Sequence, residues 1–240
     1  MAHPTFLIPQ ISPDTINWTA RITITEDIPT ITCANGSKLK RYVLTDNKGN
    51  EIAATIFGHH IPILVPMLHL FKVYDITNAQ EKLIDPQYRI LKNPFQWTLQ
   101  RDTFIRPVSD VGPNLRYFLD GLTPFSLIAR HSTTKLSSID IMGVVLAFEI
   151  PTIVNTQEGP KHVQRFTFVD KEKIPISVSV WEEMSILQGL VLTEAAKTLS
   201  VVVAKRLGIS SYKGVSLSAK NSTSFTVNPQ LEAAIDLKSW

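Results

Sequence analysis

The sequence predicts an all-β protein with short helices, folded as two tandem copies of one small five-stranded barrel. Three observations lead there. Apolar residues alternate with period two along several segments, as in half-buried strands. One stretch, "LTDNKGNEIAATIFG" at 44–58, has a second copy, "FVDKEKIPISVSVWE" at 168–182. After it, each half runs through the same order of strands, with one helix-compatible segment in the same place.

The offset between the copies is 124 residues for Asp46 and Asp170, for Phe57 and Trp181, and for Tyr88 and Tyr212. "KRYVLTD" (40–46) shifts onto "QRFTFVD" (164–170), and "INWTARITI" (16–24) is expected to match "IDIMGVVLA" (139–147), with Trp18 over Met142. The expectation is one constant offset without net insertion. Internal repeats decide architecture. They predict a first domain over 1–108, a joiner over 109–136 and a second domain over 137–240 that ends in a helix.

The elements follow in order. A first strand and a loop with Gly or Pro lead to a second strand. A turn at Asn47-Lys48-Gly49-Asn50 leads to the third. On that strand Ile52, Ala54 and Ile56 alternate with Ala53, Thr55 and Phe57. In the second copy Ile174, Ile176, Val178 and Val180 alternate with Pro175, Ser177, Ser179 and Trp181. Next come "HIPILVPMLHLF", where prolines predict a short or irregular helix, and "EEMSILQGLVLTEAAKTL". Two more strands follow. Five strands with a helix between the third and fourth is the layout of the OB-fold, a Greek-key barrel. "NPQLEAAIDLKSW" predicts a C-terminal helix with Pro229 in its first turn. In the joiner, Tyr117, Phe118, Leu122, Phe125 and Ile128 are expected to pack partly on a domain.

Composition excludes several classes. Hydrophobic residues make up 44% and charged residues 19%, as in an ordinary globular protein. No apolar run approaches the roughly 18 residues of a membrane span, and the start is not expected to be a secretory signal. A single cysteine, Cys33, leaves no disulfide framework or Cys-rich zinc site, and suits a reducing compartment. His59-His60 lacks a third ligand at useful spacing. No Walker loop, HExxH or G-x-S-x-G is present, so no enzyme and no cofactor are expected.

Phe57 and Trp181 end strand three on the face opposite the aliphatic residues, which is the wrong face for a core. Taken alone, such an aromatic is usually rim packing; the matched pair argues otherwise. Here the chain resembles the tandem central DNA-binding OB domains of the replication protein A large subunit, in its plant-type form or as a shortened paralogue. The likeness is carried by "NEIAATIFG", "FKVYDITNA" and "QYRILKNPFQWTL", then by "IDIMGVVLAFE", "ISVSVWEE" and "ISSYKGVSLSAKNSTSFTVNPQLEAAIDLKSW". The resemblance implies single-stranded DNA as partner, bases stacked on Phe57 and Tyr88 and on Trp181 and Tyr212, and a nuclear location. It implies roles in replication, repair, recombination or telomere maintenance, with other replication or repair proteins as further partners and no membrane. Departures are Ala53 and Gly208, where the family often has basic residues. The family's zinc-bearing trimerisation domain has no counterpart in these residues, which argues against heterotrimer partners.

Net charge is only +3, but its distribution is uneven. Segments 28–45, 86–101 and 195–220 carry lysines and arginines and no acid. The candidate phosphate contacts are Lys38, Lys40, Arg41, Lys82, Arg89, Arg165, Lys205, Arg206 and Lys213. Arg41 and Arg165, each five residues before its aspartate, should point to the binding face and act as equivalents. The alternatives are an OB-fold protein-interaction scaffold and an RNA-binding module.

Overall fold

The computed structural model describes residues 5–131, 138–210 and 214–240. The chain forms two compact units, Met1–Asp120 and Gly121–Trp240.

In the first unit, β1 (Thr19–Thr32), β2 (Lys38–Asp46) and β3 (Glu51–Phe57) form an antiparallel meander. Three short helical turns follow, with α1 (Ile61–Leu64) between two 3-10 turns. Pro62 and Pro66 break any longer run. Then come β4 (Val73–Thr77), β5 (Gln80–Leu83), β6 (Phe95–Thr98) and β7 (Phe104–Val108). β6 pairs parallel with β3 and antiparallel with β5, while β4 pairs with β1. β4 runs into β5 through Asn78 (φ 53°) and Ala79, so the two are one bent fourth strand that closes the barrel.

The second unit repeats this. It comprises α2 (Phe125–His131), β8 (Ile139–Phe148), β9 (Thr152–Thr156), β10 (Gly159–Val169), β11 (Pro175–Trp181), α3 (Glu182–Lys197), β12 (Val201–Ser210), β13 (Ser216–Ser218), β14 (Ser224–Val227) and α4 (Glu232–Ser239). The ring β8-β10-β11-β13-β12 returns to β8, again with a parallel pair between strands three and five. Each unit is therefore a closed five-stranded OB barrel with extra edge pairing.

The expected constant offset holds for strands two and three only. Leu39 faces Phe57 as Val163 faces Trp181, and Arg41 faces Thr55 as Arg165 faces Ser179. Strand one is different. Thr23 pairs with Thr45 and Val144 with Val169, so it repeats at 121 residues. Trp18 thus matches Ile139 rather than Met142. An odd shift changes face: Ile139 lies in the main core, while Met142 packs against Ala234 and Leu237 of α4. Strand four drifts the other way, and strand five falls back below 124. Glu81 and Trp97 correspond to Ile209 and Leu217, at offsets of 128 and 120. The 16-residue α3 replaces the three short turns, and the following loop shrinks from 84–94 to 211–215. The first change lengthens the second unit by four residues and the second shortens it by eight, so the offset passes back through 124 between strands four and five, where Tyr88 and Tyr212 lie in the sequence.

The cores show compensating volumes. Trp18 and Trp97 meet at 4.7 Å in the first barrel, beside Ala20 and Ala54. Their counterparts are Ile139 and Leu217, beside the larger Ile141 and Val178. Native packing density requires such exchange.

A lead-in segment seals each barrel in the same way. Phe6 bridges in parallel to Ala20, and Ile8 N–H donates to Asp46 Oδ2 at 3.0 Å. Leu122 bridges to Asp140, and Phe125 N–H donates to Asp170 Oδ2 at 3.3 Å. The joiner is accordingly divided. Residues from 121 belong to the second unit, with Phe125 and Ile128 in its core. Before that, Asn114 N–H donates to Thr23 Oγ1, Phe118 meets Phe71 edge-on at 5.1 Å, and Tyr117 lies on Gly49. Gly49 is doubly required: its φ is 84°, and a Cβ there would meet the tyrosine ring at 2.6 Å. Pro229 precedes α4 instead of entering its first turn; Leu231 is the N-cap.

Candidate nucleic-acid interface

Residues paired across neighbouring strands share a face. In the first unit one outward row reads Arg41, Thr55, Thr98, Gln80, and the next Val43, Ala53, Gln96, Lys82. Phe57 stands at the end, opposite Leu39, and is 43% exposed. In the second unit the row reads Arg165, Ser179, Ser218, Gly208, with Trp181 at the end opposite Val163. In each barrel the face opposite the core is floored by small residues, nearly buried in the first unit (Thr55 1% and Thr98 4% exposed), with one half-buried arginine on it and one aromatic at its rim. A flat, extended ligand can lie on such a surface.

Two atoms on the first row, Arg41 Nε and Thr98 Oγ1, are buried and have no hydrogen-bond partner. Buried polar groups are nearly always paired. Burial also lowers the Arg41 pKa, so an anion resting there would offset a desolvation cost already present. Arg165 occupies the same register but differs in partner: its Nη1 donates to Glu149 Oε2 at 3.3 Å. The expected equivalence thus holds for position and not for surroundings.

Trp181 is half-buried, and its indole N–H donates to Ser218 Oγ at 2.9 Å. It forms one wall of a cleft of about 570 Å³, lined also by Gln157, Glu158, Lys161, Glu182 and Asn221. That volume suits a small organic group. Lys161 pairs with Glu158 and lowers the Glu158 pKa. Tyr88 is 59% exposed on a 3-10 turn, Pro86–Tyr88, held by the Asp85 cap on Gln87 N–H. Tyr212 and Lys213 lie outside the described residues.

The other basic residues divide. Lys38, Lys82 and Arg89 are exposed, Lys82 in the outward row with Gln96. Lys40 corrects an expectation. It has the parity of Tyr42, is buried, and pairs with Asp27 above the Tyr42 ring. Lys205 is also buried. Arg206 sits at a bulge with φ 59°, and its Nε donates to Ser222 O. These three are structural ties rather than open surface cations. Thr55 shares the outward parity of Phe57 already read from the sequence, whereas Gln96, Thr98, Ser218 and Glu182 join this face only in the structure. Outward parity on strand five would have found Gln96, Thr98 and Ser218, had that strand's register been known.

Among the described residues no cluster of His, Cys, Asp and Glu could hold a metal ion. His59 and His60 stack on each other at 4.0 Å. No helix among them is long and apolar enough to cross a membrane.

Comparison with known proteins agrees with this fold. Residues 130–228 match the family model described as Replication protein A OB domain. The chain is 25% identical over 246 residues to a Replication protein A 70 kDa DNA-binding subunit of Arabidopsis thaliana, covering 99% of this chain and 40% of the relative. It is 28% identical over 242 residues to Replication factor A protein 1 of Saccharomyces cerevisiae, covering 99% and 37%. The chain thus spans about two fifths of the length of these relatives. A solved Replication Protein A heterotrimer bound to ssDNA superposes with a TM-score of 0.79 over 98% of this chain and 54% of that one, at 21% identity, a likeness of fold. With two OB barrels in tandem, the chain is similar along nearly its whole length to part of the replication protein A large subunits, and its second barrel matches their OB-domain model.

Proposed function

We propose that the protein binds single-stranded DNA without catalysis, by stacking bases on rim aromatics and contacting phosphates, one OB barrel assisting the other. The observation that carries this reading is the repeated platform: an outward arginine, small residues and a rim aromatic in identical register in both units. Phe57 and Tyr88 are the proposed stacking residues of the first unit, Trp181 and Tyr212 those of the second. Arg41, Arg165, Lys38, Lys82 and Arg89 are the proposed phosphate contacts. Stacking tolerates any base because every base offers a π-face. Two linked modules gain affinity through effective concentration. Its relatives' names point to replication as the setting, hence the nucleus, with repair, recombination and telomere maintenance as allied roles.

The test is fluorescence anisotropy with labelled single-stranded DNA, RNA and duplex at two salt concentrations. With about four phosphates contacted, log K should fall against log salt with a slope near −3, from about −0.7 per contact on a single strand. A flat salt response would remove the phosphate contacts from the reading.

Arg41→Gln should weaken binding more than Arg165→Gln. Glu149 already shares the Arg165 charge, whereas the Arg41 Nε is unpaired. Lys48→Gln, on the β2–β3 turn, is the reference. Titrations at one salt concentration decide it, and equal losses at Arg41 and Lys48 would remove Arg41 from the interface.

A second reading, a protein-docking module, rests on α3. Ile186, Leu187, Leu190 and Val191 lie exposed together along it. Binding of a partner protein by a chain that ignores single strands would favour that reading.

A further inference from the structure

Position 58 in the first unit and position 182 in the second are equivalent: each follows the rim aromatic directly. Both backbones are left-handed, with φ 46° at Gly58 and 49° at Glu182. Glycine adopts that conformation freely, and a Cβ at position 58 would meet nothing within 4 Å. Glutamate does not adopt it freely, and such strain persists where surrounding structure enforces it. Here the enforcing contact is visible: Glu182 Oε1 accepts the His162 backbone N–H at 2.7 Å. This holds the carboxylate on the wall of the cleft beside Trp181. Among the described residues its second oxygen, Oε2, has no partner.

A carboxylate at a nucleic-acid surface repels phosphate. It accepts hydrogen bonds and donates none. The group that gains from it is therefore a neutral base carrying an N–H donor on its edge. We propose that Glu182 is a specificity-determining residue. A base stacked on Trp181 is favoured when it presents an exocyclic amino group, as cytosine does, over thymine, whose O4 acceptor faces the same oxygen. Glu158 is tied to Lys161, which leaves Glu182 as the reader. The first barrel, with glycine at this position, has no such filter. This inference rests on the single-strand-binding reading above.

The experiment compares anisotropy titrations of oligo-dC and oligo-dT of equal length at one salt concentration. The proteins are the wild type, Glu182→Gly, Glu182→Gln and Glu183→Gln. Using the cytosine-to-thymine affinity ratio cancels differences intrinsic to the strands. Removing the carboxylate should tighten thymine binding and lower the ratio by about fivefold or more, the value of one good base contact. Glycine suits the left-handed backbone, so Glu182→Gly should melt no lower than wild type. Glutamine, which can donate to O4, should lower the ratio at least as far. Glu183→Gln, which does not line the cleft, should tighten both strands alike and leave the ratio unmoved. An unchanged ratio in both Glu182 variants, with both strands bound, overturns this inference alone. So does an equal change in Glu183→Gln. Binding to neither strand by the wild type overturns the binding reading and this inference together.

Discussion

Trp181→Ala should weaken single-strand binding by about 1–3 kcal/mol while leaving the melting temperature of the protein nearly unchanged. The expectation follows from where the ring stands. Trp181 ends β11 at the outward parity, opposite Val163, and walls an open cleft. The core of its barrel is filled without it, by Phe166, Phe168, Val178, Val180 and Leu217 among others. Its one polar tie is the hydrogen bond to Ser218 Oγ. Trp181→Phe separates the two contributions: it retains a stacking face, loses the indole N–H, and should recover part of the affinity. Phe57→Ala and Tyr88→Ala should act in the same direction in the first unit, since both rings are exposed. Anisotropy titrations paired with thermal melts provide the measurement. Wild-type affinity in folded Trp181→Ala would remove the stacking role, and a large drop in melting temperature would make the ring a packing residue.

Asp46→Ala should destabilise the protein by about 3 kcal/mol, the combined effect of several hydrogen bonds lost at one buried carboxylate. Asp46 is 1% exposed. It accepts from Lys48 N–H at 2.8 Å, Asn50 N–H at 3.0 Å and Asn50 Nδ2 at 2.8 Å, which shapes the β2–β3 turn. It also accepts from Ile8 N–H, which fastens the lead-in segment beneath the barrel. Alanine leaves all of these donors without the acid. Asp170 has the same role with longer bonds, to Phe125 N–H at 3.3 Å, Glu172 N–H at 3.1 Å and Ile174 N–H at 3.0 Å, and is less buried. Asp170→Ala should therefore cost clearly less than Asp46→Ala. Urea titrations of both variants check the order. Equal or negligible losses would mean that the turns hold without their aspartates.

The hairpin of strands two and three is written in the amino-acid order of both halves, and with it the outward placement of Phe57, Trp181, Arg41 and Arg165. Everything needed lies within about 20 residues: period-two alternation, a turn opened by Asp (with Asn and Gly in the first half only), and an aromatic at the wrong parity for a core. The breaking of the first helix was legible for the same reason, because proline acts locally.

The register of strands one, four and five emerges only in the folded barrels. Their partners are distant in sequence, and a three-residue shift turns every side chain to the other face, as it does for Trp18 and Met142. Folding also sets the role of the charges. Lys40 reads as a surface cation until β1 brings Asp27 across to it, and Arg206 until Ser222 O accepts its Nε. Asp46 and Asp170 stand out in the sequence as a repeated pair, but their work became visible only when Ile8 and Phe125 arrived from other segments to donate to them. Glu182 carried no signal at all, since neither its left-handed backbone nor the His162 N–H that holds its carboxylate is a property of neighbouring residues in the chain. Local patterns encode which way a strand faces; what each polar group meets depends on contacts between distant segments, and those exist only once the barrel has closed.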